Sequence, residues 1–174
     1  MKIIIYGTIY GSSKRYAEIL SKKYNMEMKS FNEIKDINIY DEIIYIGSLY
    51  AGGVLGMKKT LNKIKDLTNK KIIIATCGVA DPLDTENIEV IRNNMKKQLK
   101  EEIFNISSIY HVRGAIDYTK LSGKHKFMMK LLYNKCIKIP EEERTPDMRG
   151  LIETYDKQVD FISEDFLKEL EREL

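Results

Sequence analysis

Four short apolar runs punctuate the chain, at Ile3 to Tyr6, Ile43 to Ile46, Ile72 to Ala75 and Ile109 to Val112. They are rich in isoleucine, the composition of strands covered on both faces. A weaker run, Met26 to Phe31, alternates apolar and polar residues and predicts an edge strand. Between the runs, apolar residues recur every three or four positions: Tyr16, Ile19 or Leu20, Tyr24; then Met57, Leu61, Ile64; then Ile88, Ile91, Met95, Leu99. Each set marks one apolar face of a helix. Tyr155, Val159, Ile162, Phe166 and Leu170 continue that rhythm, which predicts a long amphipathic helix closing the chain.

Strands alternating with helices make an α/β doubly wound parallel sheet of five strands. Right-handed crossovers leave few topologies, and the order 2-1-3-4-5 is the simplest that puts the weak second strand at an edge. Ligands of such sheets bind beyond the carboxyl ends of the strands where the winding reverses, here between the first and third strands. Three loops should meet there: Thr8 to Lys14, Gly47 to Gly53 and Thr76 to Asp81, all rich in small residues. With 174 residues and 43% hydrophobic content, the chain suits a single domain spanning residues 1–174.

The first loop carries the clearest chemistry. The run Lys2-Ile3-Ile4-Ile5-Tyr6-Gly7 breaks into Thr8-Ile9-Tyr10-Gly11-Ser12-Ser13-Lys14 and then becomes helical. The first amides of a helix lack internal acceptors, and with the helix dipole they offer an anion several N–H donors. The hydroxyls of Thr8, Ser12 and Ser13 add further donors. A Walker loop needs a Gly-Lys-Ser/Thr ending and a dinucleotide fingerprint needs three glycines, whereas Gly11 is the only glycine inside this loop. A mononucleotide phosphate remains, although Ser12 or Ser13 serves equally as a plain helix N-cap.

The rest of the composition narrows the field. Cys77 and Cys136 form no metal or redox pair by spacing, and the first 30 residues lack the pattern of a signal peptide, so a cytoplasmic protein is expected. No apolar run approaches the roughly 20 residues that cross a bilayer. A net charge of +3 is too mild to imply nucleic acid. His111 and His125 have no Cys or carboxylate at ligand spacing, so no metal site is expected. His125 reads either as a proton acceptor or as a surface histidine.

Thr8-x-x-Gly11-x-Ser13 after the first strand, with the two other small-residue loops, resembles the flavodoxin family over the whole chain. The resemblance implies bound FMN as cofactor. By position Thr8, Ile9, Tyr10, Gly11, Ser12 and Ser13 would hold its phosphate. Ser48, Leu49, Tyr50, Ala51 and Gly52 would line one edge of the flavin ring, and Thr76, Cys77, Gly78, Val79 and Ala80 the other. The family also implies a peptide in the middle loop that flips toward the flavin, which Gly52 or Gly53 permits. Flavodoxins usually hold the ring between aromatic residues, yet only Tyr50 is supplied here and Thr76 to Asp81 has none. Tyr50 also reads as an ordinary half-buried loop tyrosine, and Cys77 as a small packing residue rather than a nucleophile.

A second resemblance is narrower. Arg113-Gly114-Ala115-Ile116-Asp117-Tyr118, followed by Lys126-Phe127-Met128-Met129-Lys130-Leu131-Leu132, is similar to the last strand and inserted helix of the quinone-linked protoporphyrinogen oxidases, a flavodoxin-like branch. A helical insert is therefore expected at about residues 119–147. Lys126, Lys130, Asn134 and Lys138 form a polar stripe with apolar residues around the rest. Such a helix suits an anionic membrane, a cover over an apolar substrate, or packing on the sheet as ordinary core. The charged segment Pro140 to Asp147 reads as a solvated connector.

Three classes of function follow. In the first, an FMN oxidoreductase takes electrons from a porphyrinogen-like donor and passes them to a quinone, with no catalytic residue assigned. In the second, an electron carrier shuttles between partner redox proteins. In the third, the fold has lost its cofactor and serves as an interaction module. The basic balance and the insert favour the enzyme over carriers of the family, which are typically acidic.

Overall fold

The isoleucine runs form the centre of the protein, whose computed structural model describes residues 1–174. The main sheet contains β1 (Lys2–Gly7), β2 (Met28–Ser30), β3 (Glu42–Tyr50), β4 (Gly53–Val54), β5 (Lys71–Gly78) and β6 (Ser107–Arg113). Its order is β2-β1-β3-β5-β6, all parallel, with β4 folded back antiparallel on β3. Without that two-residue appendage this is the expected 2-1-3-4-5 order, with the weak strand at the edge. A separate two-stranded ribbon joins β7 (Ala115–Asp117) to β8 (Gln158–Asp160).

In-register pairing places Ile4 beside Ile44 and Ile44 beside Ile73, so alternate residues stack into two cores. Ile3, Ile5, Ile43, Tyr45, Ile72 and Ile74 face one way, against α2 (Met57–Leu61), α3 (Thr85–Gln98) and α4 (Glu101–Ile106). Ile4, Ile44, Ile46, Ile73 and Ala75 face the other, against α1 (Ser12–Tyr24) and the buried Leu167 and Leu170. Each fully buried isoleucine contributes about 1.5–3 kcal/mol of transfer free energy, which a polar residue at these positions would forfeit.

Beyond β6 the chain forms α5 (Gly123–Cys136), α6 (Pro146–Thr154) and α7 (Lys168–Glu171). Here and at α2 the structure departs from the sequence pattern. Pro146, expected within the charged connector, is buried at the first turn of α6, a helix that continues to Thr154. The supposed connector includes a short 3-10 turn at Glu141–Glu143.

The expected closing helix does not form. Asp156 adopts a left-handed conformation (φ 56°), the chain enters β8, and the carboxylate of Asp160 accepts from the Ile162 amide. Ser163 then caps a 3-10 turn at Glu164–Leu167. Polar side chains that bind their own backbone in this way compete with a continuous helix. Likewise α2 ends at Leu61, although Ile64 remains buried.

Candidate functional site

The three loops at the carboxyl ends of β1, β3 and β5 open into one cavity of about 660 Å³, within the roughly 300–1,000 Å³ of cofactor sites. Every residue expected at the cofactor lines it except Gly11 and Ser13.

In the first loop the hydroxyls are more occupied than expected. Thr8 Oγ1 accepts from the Gly11 amide at 2.9 Å. Ser12 Oγ donates to the Ala115 carbonyl at 3.1 Å and accepts from the Ala115 amide at 3.0 Å. Ser13 Oγ, fully buried, shares a 2.8 Å hydrogen bond with Ser48 Oγ, which lies 3.4 Å from Thr8 Oγ1. Ser12 and Ser13 therefore tie the loop to its neighbours instead of facing an anion. Nor are they N-caps, since Gly11 holds the cap position of α1. Of the three hydroxyls, Thr8 alone keeps its proton unspent if Ser48 donates to it. Gly11 has φ +99° and open space where a Cβ would stand, leaving the helix N-terminus uncovered.

The middle loop is a β-hairpin. Leu49 pairs with Val54 and Tyr50 with Gly53, and Ala51 and Gly52 turn the chain with φ 49° and 79°. Two consecutive positive φ values are those of the tight hairpin turns that follow strand twist. A Cβ on Gly52 would meet nothing within 4 Å, so this backbone faces the cavity unobstructed.

The third loop is braced from β6. The Gly114 amide donates to the Gly78 carbonyl at 2.6 Å, and Arg113 Nε donates to the Val79 carbonyl at 2.8 Å. The Arg113 guanidinium stacks 3.6 Å above the Phe161 ring and pairs with Glu153 at 2.8 Å. No sequence signal marks this role of Arg113, which arises only from the pairing of β5 with β6. Cys77 is buried, and burial pushes its thiol up to about 12, which fits packing and not nucleophilic chemistry.

Residues 3–142 match the flavodoxin domain family. The chain belongs to that family. No curated protein matches it in sequence. Among solved structures it is similar to a flavoprotein of Lactobacillus acidophilus in complex with FMN, with 14% identity, a TM-score of 0.41, and coverage of 64% of this chain and 91% of the other. It is also similar to a Fusobacterium nucleatum flavodoxin mutant bound to flavin mononucleotide, at 16% identity, TM-score 0.37, and 68% and 70% coverage. A flavodoxin mutant from Pseudomonas aeruginosa aligns over 78% of this chain and 96% of its own, at 13% identity and TM-score 0.36.

On this flavodoxin core the insert acts as a roof. Met128, Met129 and Leu132 of α5 and Met148 and Leu151 of α6 line the cavity opposite the loops.

His125, near the start of α5, fastens the roof. Tyr10 and Tyr50 lie on either side of its ring, with centroids 5.6 and 6.0 Å away. The Tyr10 hydroxyl accepts from the Ser122 amide at 3.3 Å and is bonded to His125 Nδ1; His125 Nε2 lies 3.3 Å from the Tyr50 hydroxyl. Which ring nitrogen donates and which accepts depends on the tautomer, and in either tautomer the imidazole bridges the two tyrosines.

A second histidine, His111 on β6, reaches the cavity wall and shares a 2.7 Å bond between Nδ1 and Thr76 Oγ1. Burial and then the charge of Arg92 hold it down to about 4, a neutral imidazole. No cluster of His, Cys, Asp or Glu that could hold a metal is present. No helix is long and apolar enough to cross a membrane.

Proposed function

We propose that this flavodoxin-family protein binds FMN noncovalently and oxidises a flat apolar donor in the roofed cavity, passing electrons to a quinone as the quinone-linked protoporphyrinogen oxidases do. The observation that supports the reading is the roof itself: the cofactor loops open into a largely apolar cavity that α5 and α6 also line. An electron carrier needs no such chamber.

The residues fit the cofactor. Open space at Gly11 and Gly52 leaves room for a phosphate and a flat ring where side chains would intrude. The Thr8 hydroxyl and the first amides of α1 would hold the phosphate. Leu49, Tyr50, Ala51 and Gly52 would flank one ring edge and Cys77, Gly78, Val79 and Ala80 the other, the last group held in place by Arg113. FMN supplies a reversible electron acceptor. The chain adds orientation and dryness: methionines adapt to a broad macrocycle and exclude water, while His125, bonded to Tyr10 and Tyr50, holds the roof against the loops.

The test begins with colour. Purified protein should be yellow and release stoichiometric FMN on denaturation. It should convert protoporphyrinogen to protoporphyrin faster than free FMN does, and the reduced protein should reduce a menaquinone analogue. Leu132→Asp and Met129→Asp should keep the flavin and lose porphyrinogen oxidation. If wild type and variants exchange electrons equally well with a flavodoxin reductase and none oxidises the porphyrinogen, the protein is a carrier.

A further inference from the structure

Outside the cofactor cavity, a cleft of about 380 Å³ lies between α5 and the segment running from α6 into β8. Lys126, Lys130 and Lys157 line it against a single carboxylate, Asp156. None of the three lysines makes an ion pair. Lys126 donates to the Thr119 carbonyl at 3.3 Å and Lys157 to the Glu153 carbonyl at 2.7 Å, which leaves spare donors on both and all of them on Lys130.

The cleft also holds a polar group without a partner. Tyr118 is only 6% exposed, and its buried hydroxyl has no hydrogen-bond partner. Burial, reinforced by Tyr155 and Asp156, pushes its ionisation up to about 12, so it remains a proton donor. A buried donor without an acceptor is rare in folded proteins. Three ammonium groups facing one carboxylate, with the Tyr118 phenol in the wall behind them, describe an anion site.

What lies beside it identifies the anion. At about 100° per residue, Phe127 and Leu131 share one face of α5, flanked by Lys124 and Lys135 on one side and Lys126 and Lys130 on the other. Phe127 is 65% exposed and Leu131 55%. An apolar ridge thus stands between lysines on its two sides, while His125, Met128, Met129, Leu132, Lys135 and Cys136 of α5 line the cavity. An aromatic and aliphatic ridge between rows of lysine is the surface of a helix that lies in a lipid interface.

We propose that the cleft bounded by Tyr118, Lys126, Lys130 and Lys157 takes the phosphate of an anionic lipid headgroup while Phe127 and Leu131 enter the bilayer interface. α5 then presents one face to the membrane and the other to the cavity. The site is independent of bound flavin and of the reaction assigned to it.

Co-sedimentation with vesicles of phosphatidylglycerol and phosphatidylcholine, against phosphatidylcholine alone, tests the site. Wild type should bind only the anionic vesicles, and salt should release it. Lys130→Glu with Lys157→Glu should lower the partition by at least about tenfold. Phe127→Ser with Leu131→Ser should lower it comparably without altering its salt dependence. Tyr118→Phe should weaken it by a smaller factor, with circular dichroism confirming the fold. Inorganic phosphate and glycerol phosphate should compete only weakly, because they lack the apolar anchor. The proposal falls if wild type ignores anionic vesicles at low salt, if the exposed-site variants bind as wild type does, or if polyglutamate binds this face while vesicles do not.

Discussion

His125 Nε2 stands 3.3 Å from the Tyr50 hydroxyl, joining the inserted helix to a cofactor loop 75 residues away in sequence. With the bond from Nδ1 to Tyr10, one imidazole ties α5 to both the first and the middle loop. Any ligand beneath these loops is retained by the same contacts that hold the roof. Two net hydrogen bonds at about 0.5–1.5 kcal/mol each predict roughly tenfold faster FMN release from His125→Ala. Recovery of flavin fluorescence on dilution measures it. Amide exchange over Ser122 to Cys136 should quicken in the same variant, and His125→Gln, which keeps a donor and an acceptor, should restore much of both.

His111 makes acid stability a separate prediction. Its folded pKa, about 4, lies below the ordinary imidazole value of 6.5, because burial and then Arg92 disfavour the charge. The unfolded chain therefore takes a proton first as pH falls. The contribution is fully present above about pH 6.5 and is lost progressively as pH falls toward about 4. Urea midpoints across that window should decline more steeply for wild type than for His111→Gln; parallel curves would refute the assignment.

The central strands were legible because Ile3 to Tyr6 and its counterparts are buried on both faces, and such burial leaves no room for polar alternation. The order of the sheet followed from chirality and one weak edge strand. The end of β3 was harder to read: Ser48 to Tyr50 remain in the strand and fold back through Ala51 and Gly52, a turn without the usual Asn-Gly signal. At the end of the chain, Val159 fits a helical spacing yet pairs with Ile116 in the β7–β8 ribbon.

The site was legible where it depends on loops of small residues, and illegible where it depends on contacts between distant elements. Ser12 looks like an anion donor until Ala115 is seen to use both sides of its hydroxyl. Arg113 becomes a brace only when β6 lies beside β5. The roof needed α6 as well as α5, and Pro146, which seemed to close a connector, instead starts that helix.

The thiols give a third prediction. Cys77 and Cys136 are free and buried, and burial raises the Cys77 thiol to about 12 although the nearby Ser13 hydroxyl opposes the shift. Neither should react with iodoacetamide near pH 8 in the native protein, whereas both should react after denaturation. Mass spectrometry of the alkylated peptides separates them. Rapid native modification of Cys77 would show that the third loop opens, contrary to the brace formed by Arg113.

Gly11 permits the most direct test of the phosphate position. Its φ of +99° strains any residue with a Cβ, yet a Cβ there would meet no atom within 4 Å, so substitution brings strain without a clash. Gly11→Asn and Gly11→Asp are nearly equal in size and differ in charge. Both should cost about 1–2 kcal/mol of stability through the left-handed backbone, with asparagine at the lower end. Only aspartate adds a negative charge at the N-terminus of α1, where the phosphate of FMN would lie. Gly11→Asp should therefore purify colourless, and Gly11→Asn should retain most of its flavin. Equal loss from both variants would assign the effect to backbone strain, and stoichiometric FMN in Gly11→Asp would place the phosphate elsewhere on the protein.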